Sequence, residues 1–111
     1  MFSNERPIYR QIRDRIVDRI LSSGDGALLP SVRALAADAG VNPLTVAKAY
    51  HDLQANGLVT ARKGVGLFAS DGAARVLLKA ERALFLTEEW PRVQARIEQL
   101  GLDADDLVAR V

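Results

Sequence analysis

Residues 31–59 read SVRALAADAGVNPLTVAKAYHDLQANGLV, and this stretch decides the fold. Ser31 carries the short side-chain oxygen that accepts the first free N–H groups of a helix. Val32, Leu35, Ala36 and Ala39 behind it fall on one helical face. Gly40 stops that helix, since glycine reaches the left-handed backbone of a helix end without strain. Val41 points back to the core. Asn42 caps the next helix, and Pro43 opens it, because a first turn has no use for the N–H that proline lacks. Val46, Ala49, Tyr50 and Leu53 then follow the i, i+3, i+4, i+7 rule, and Asn56-Gly57 ends the element.

So short a connection makes the two helices cross steeply, and the small Ala36 and Ala39 allow close approach. Counted from Val32, alanine at the fifth place, glycine at the ninth and Val46 at the fifteenth have the spacing of a helix-turn-helix. A plain tri-helical core with a glycine turn would share these features, so the flanking segments matter.

Upstream, a helix begins at Pro7, with Ile8, Ile12, Ile16 and Ile20 every four residues and Tyr9, Val17 and Leu21 broadening the stripe. Ser22 to Gly26 is loop chemistry that ends it. Downstream, Leu58 to Arg62 and Leu67 to Ala69 are β-prone runs around Lys63-Gly64-Val65-Gly66, which reads as a hairpin. Helix, helix-turn-helix and two-stranded wing in that order make a winged helix over residues 1–70. The predicted fold class is mainly α with a small β-hairpin, followed by a short helical module at residues 71–111.

In that module Ala73, Val76, Leu77, Ala80, Leu84 and Phe85 or Leu86 continue an apolar face as far as Glu88-Glu89. Trp90-Pro91 is expected to interrupt the helix, because a residue before proline disfavours the α region. Val93, Ile97 and Leu100 mark a further helix ending at Gly101, and Asp103 is placed to cap a last turn with Leu107 and Val108. About 40 residues of short amphipathic helix cannot enclose a core of their own. Their apolar faces must rest on the winged helix or on another subunit, with Val76, Leu77, Leu84, Trp90, Val93 and Ile97 as the expected dimer residues.

Composition excludes several classes of function. The 111 residues are 49% hydrophobic and 26% charged, unlike a disordered chain. Without cysteine there is neither a disulfide framework nor a thiolate metal site, and one histidine, His51, makes a catalytic triad or histidine metal centre improbable. Glu81, Glu88 and Glu89 read as a solvated face, not a metal site. No phosphate-binding loop, nucleophile–base pair or cofactor fingerprint is present, so no enzyme, cofactor or metal is expected. No apolar run is long enough to span a bilayer, and Met1 to Arg6 lacks a leader's apolar stretch. The expected location is the cytosol, with no membrane partner. Net charge is +1, but residues 1–70 hold nine Lys/Arg against six Asp/Glu, while residues 71–111 hold six against eight. A polyanion-binding first part suits that asymmetry.

The outer face of the second helix carries Asn42, Thr45 and Lys48, followed by His51, Asp52 and Ala55. An α-helix fits the DNA major groove, where Asn pairs with adenine and Lys with guanine acceptors. Thr45 can meet a phosphate or a thymine methyl. Arg33 lies in a first turn, unfavourably for the helix dipole, and a phosphate would explain it. Arg62 and Lys63 with Gly64 and Gly66 form a basic hairpin tip whose small residues allow close approach to a minor groove. The plainer alternatives are a cap at Asn42, solvated cations and an ordinary turn. Trp90 and Tyr50 read as packing residues.

PIYRQI at 7–12, LPSVRALA at 29–36, the 41–59 block and RKGVGLF at 62–68 together resemble the winged-helix domain of GntR-type bacterial transcription regulators. The short tail resembles the C-terminal module of the YtrA-like subfamily. The resemblance implies a homodimer on a pseudo-palindromic double-stranded operator, and a repressor. It implies DNA contacts from Ser31 and Arg33, from Asn42, Pro43, Leu44 and Thr45, and from Gly64 and Gly66; Lys48 is assigned from helical geometry. Leu44 stands where relatives often carry a polar residue, and Val65 and Leu67 make the wing tip less basic than usual. Any small-molecule effector is expected at the dimer interface or between modules. The rival reading is a winged helix used for protein–protein assembly without specific DNA binding.

Overall fold

The computed structural model describes residues 7–108. The expectations for Met1 to Arg6 and for the last residues of the tail lie outside them. The described chain divides between Leu77 and Leu78 into two compact units, each treated by itself below.

In the first unit α1 (Ile8–Ser23), α2 (Val32–Ala39) and α3 (Pro43–Ala55) pack around one core. The four-residue rhythm of α1 buries Ile12, Ile16 and Ile20 together with Val17, whereas Ile8, expected on the same stripe, is exposed in the first turn. From α3, Val46, Ala49, Tyr50 and Leu53 are all buried, as their spacing predicts. Burying such aliphatic side chains is worth about 1.5–3 kcal/mol each, so this interior carries most of the unit's stability. Gly40, at φ 68° and ψ 38°, ends α2 in the left-handed conformation, and Val41 donates its N–H to Ala36 O at 3.0 Å. That bond fixes the turn between α2 and α3.

The wing is antiparallel, with β1 (Val59–Arg62) paired to β2 (Gly66–Ala69) in the register Val59–Ala69 to Arg62–Gly66. It has a third member that the sequence reading missed. Leu28 bridges to Phe68 on the other edge of β2, with Leu29 N–H donating to Leu67 O at 2.8 Å and Ala69 N–H to Ala27 O at 2.9 Å. The segment before α2 thus clamps the wing, and Leu29 enters the core.

The helix α4 (Ala73–Leu84) begins in the first unit, where Ala73 and Leu77 join the core. This corrects the assignment of Leu77 to the dimer face. At 3% exposure its side chain lies within its own subunit, because the first turns of α4 complete the winged-helix interior.

In the second unit the expected break at Trp90-Pro91 does not occur. α4 passes through a π-helical turn, Phe85–Glu89, into α5 (Trp90–Leu100), and Trp90 keeps α-region angles of φ −59° and ψ −43°. Proline withholds one donor and crowds the preceding turn. The widened turn absorbs that misfit, with Trp90 N–H reaching Phe85 O and the Thr87 hydroxyl donating to Ala83 O at 2.9 Å. Gly101 ends α5 in the left-handed region. Asp103 and Asp106 then cap α6 (Ala104–Val108) reciprocally, each carboxylate accepting the other's N–H at 3.0 and 2.9 Å. These backbone donors hold the Asp103 carboxyl below its usual pKa.

Candidate nucleic-acid interface

Ser31 stands outside the first turn of α2 and accepts the Ala34 N–H at 3.0 Å, which satisfies one free donor and leaves Arg33 exposed in that turn. Asn42 does the same for α3, its Oδ1 accepting the Leu44 N–H at 2.8 Å. The cap occupies only the amide oxygen of Asn42; its NH2 group retains both donors. Pro43 forms the first residue of α3, and Leu44 is 76% exposed, a large aliphatic side chain in water at a helix start. Thr45 is half-buried and Lys48 exposed. The buried face of α3 holds the helix against the core, so its opposite edge is both rigidly held and open to solvent.

Lys48 is not a free side chain. Its Nζ lies 4.9 Å from the centroid of the Tyr9 ring on α1. The Tyr9 hydroxyl in turn donates to Asp52 Oδ2, one turn further along α3. Partial burial, and then the neighbouring Asp52 carboxylate, push the Tyr9 phenol above its ordinary pKa, so it stays a donor at neutral pH. The sequence reading placed Tyr9 only as a broadening of the α1 stripe. The Lys48–Asp52 spacing on one helix face was its available signal; the partner on α1 had none.

On the wing, the Arg62 guanidinium lies 5.0 Å from the Phe68 ring centroid, held over β2 from β1. Lys63 and Gly64 are exposed at the tip, and the Val65 N–H closes the turn onto Arg62 O at 2.9 Å. Gly64 has φ 77°, which favours glycine. Gly66 is more confined, because a Cβ there would meet Leu28 Cδ1 at 3.1 Å. The expected DNA-binding residues therefore lie on three elements of the first unit: the starts of α2 and α3, and the hairpin tip. His51 is exposed. Among the described residues no cluster of His, Cys, Asp or Glu has the arrangement of a metal site, and no helix is long and apolar enough to cross a membrane.

The expected dimer residues outside the core are Val76, Leu84, Trp90, Val93 and Ile97. Leu84 and Ile97 are half-buried, and the others are exposed. Among the described residues from 78 to 108 none is buried, although Phe85 and Trp90 stack with ring centroids 6.3 Å apart.

Comparison with known proteins agrees with this arrangement. The family model for bacterial regulatory proteins of the gntR family matches residues 4–68. The chain is 38% identical over 110 residues to the HTH-type transcriptional regulator YhcF of Bacillus subtilis (strain 168), covering 96% of this chain and 88% of that protein. It is 32% identical over 102 residues to the HTH-type transcriptional repressor YtrA of the same organism, covering 88% and 71%. Among solved structures, a GntR family transcriptional regulator from Listeria monocytogenes superposes with a TM-score of 0.66 at 29% identity, over 94% of this chain and 91% of that one. A family match over more than half of the chain, with kinship along nearly all of it, makes this protein a member of the gntR family, a winged-helix DNA-binding transcriptional regulator and not an enzyme.

Proposed function

We propose that the protein is a repressor that binds a pseudo-palindromic operator as a homodimer, one α3 in the major groove of each half-site. The observation that carries this reading is the division of α3. Val46, Ala49, Tyr50 and Leu53 are buried, while Asn42, Leu44 and Lys48 stand in solvent. In this reading the amide of Asn42 and the ammonium of Lys48 meet base edges, Leu44 with Pro43 and Thr45 packs near a thymine methyl, and Arg33 with Ser31, Arg62 and Lys63 hold phosphates. Gly64 and Gly66 keep the wing tip narrow enough to approach the backbone. The name of the relative YtrA, a transcriptional repressor, supports repression.

A second copy of the chain is the proposed cover for the apolar side chains of residues 78–108, among them Leu86 at 62% and Trp90 at 38% exposure. Helices without an interior do not hold together in water unless a partner supplies one. Any effector would then lie at that subunit interface.

Mobility-shift titrations with the duplex upstream of the protein's own gene test the reading, alongside sedimentation of the free protein. The expected results are a dimer and sequence-dependent binding whose log affinity falls linearly with log salt. Half-sites should be spaced by about one helical turn or a multiple of it. Equal affinity for random duplex would remove specific recognition and favour a protein–protein role for the winged helix.

A further inference from the structure

We propose that Tyr9 is a positioning residue for DNA recognition, one that holds the Lys48 ammonium at a set height above α3 without consuming its hydrogen-bond donors. The inference rests on the reading of Lys48 as a base-contacting side chain. Lys48 and Asp52 are four residues apart on α3, the spacing at which opposite charges close onto each other along a helix. An ammonium drawn onto Asp52 would give donors to the carboxylate and present less charge to a duplex. Tyr9 intervenes at both ends of that pair. Its hydroxyl donates to Asp52 Oδ2, and its ring offers the ammonium a negative face 4.9 Å away.

The two contacts do different things. The hydroxyl–carboxylate bond fixes the ring plane, because it ties the far end of Tyr9 to the neighbouring helix. The ring then attracts the cation through its quadrupole, an interaction that uses charge and leaves the three N–H donors available. A lysine has many rotamers to lose on binding, and one already held in place loses fewer. Tyr9 is half-buried between α1 and α3, and Ile12 on the next turn of α1 is in the core. The position of Lys48 is therefore referenced to the interior of the first unit. A lysine on a fixed support can distinguish a guanine acceptor from its neighbours; a swinging one mainly finds phosphate.

The test uses the full-length protein and a duplex selected by it from a random library, with unselected random duplex as the comparison. The readout is the ratio of the two affinities, which a purely structural role would not move once the fold is intact. Lys48→Ala should lower the ratio about tenfold. Tyr9→Leu should lower it about three- to fivefold. In the Lys48→Ala background, Tyr9→Leu should add almost nothing, since the two act as one unit. Tyr9→Phe keeps the ring and its packing but loses the tie to Asp52. Its ratio should fall by a smaller factor with an unchanged melting temperature, and it decides the matter if Tyr9→Leu does not fold.

An unchanged ratio in Lys48→Ala would remove both the recognition role of Lys48 and this proposal. A lowered ratio in Lys48→Ala with wild-type ratios in the Tyr9 variants would leave Lys48 its role and overturn the proposal alone. A Tyr9→Leu loss that persists undiminished without Lys48 would overturn it too, by assigning Tyr9 to general packing.

Discussion

Asp25 and Gly72 are joined across 47 residues of sequence: the Asp25 carboxylate accepts the Gly72 N–H at 2.7 Å, and its other oxygen accepts the Ala74 N–H at 3.0 Å. A residue in the loop after α1 thereby caps the start of α4, where free N–H groups need acceptors. Those two backbone bonds hold the Asp25 carboxyl below its ordinary value of 3.8, with Arg75 adding to the effect. The native state then binds fewer protons than the unfolded one in acid, so this contribution is complete above the unfolded value and is lost as pH falls through the folded one. Asp25→Ala should lower the melting temperature at neutral pH, and Asp25→Asn should lower it less, since an amide oxygen still accepts. Thermal melts from pH 6 down to pH 2 should show a shallower acid decline in both variants. A wild-type slope in Asp25→Asn would assign the acid decline to other carboxyls.

Tyr50 ties α3 to the segment before α2. Its ring is buried and its hydroxyl donates to Pro30 O at 2.5 Å. Tyr50→Phe leaves that carbonyl without its partner and should destabilise the protein by about 1–2 kcal/mol in chemical denaturation. Burial also pushes the phenol up from 10.0 to about 12. Between those values the native state keeps a proton that the unfolded chain has lost, so stability falls as pH rises through that window. The alkaline decline should be shallower in Tyr50→Phe, the remainder coming from Tyr9, whose phenol is also raised. Equal declines would mean that Tyr50 ionises in the folded protein as readily as in the unfolded chain.

The helices and both caps of the helix-turn-helix were legible because they are local. Ile12, Ile16 and Ile20 reveal a face by period, and Ser31 and Asn42 lie within three residues of the N–H groups they serve. Four features were not legible, each for want of a local signal. Leu28 pairs with Phe68 through backbone atoms, which any residue supplies. Asp25 caps a helix far along the chain. An apolar period states that Leu77 is buried but not by what, and here its own subunit does it. The rule against α geometry before proline failed at Trp90 because a π-helical turn ahead of Pro91 relieves the clash. Within the candidate interface, spacing on α3 located Lys48, while Tyr9 beneath it belongs to another helix.

Arg62 tests the wing. It is exposed and held over Phe68, a position from which it can serve a phosphate without serving a base. Arg62→Ala should weaken selected and random duplexes by similar factors, and should reduce the slope of log affinity against log salt by about one. Titrations at four or more salt concentrations measure that slope. An unchanged value would place the wing away from the duplex.

Asn42 separates a cap from a reader. Asn42→Ala removes the acceptor for the Leu44 N–H and should cost about 1 kcal/mol of stability, whatever the residue does on DNA. Asn42→Asp keeps that acceptor and adds a negative charge at the positive end of α3, so its melting temperature should equal or exceed the wild-type value. The same change removes the amide donors, and with them the two-bond pairing to adenine, and sets a carboxylate among phosphates. Affinity for the selected duplex should therefore fall at least about tenfold in Asn42→Asp although the fold is no weaker. Wild-type binding by this variant would leave Asn42 a cap alone, and the base reading of α3 would then rest on Leu44, Thr45 and Lys48.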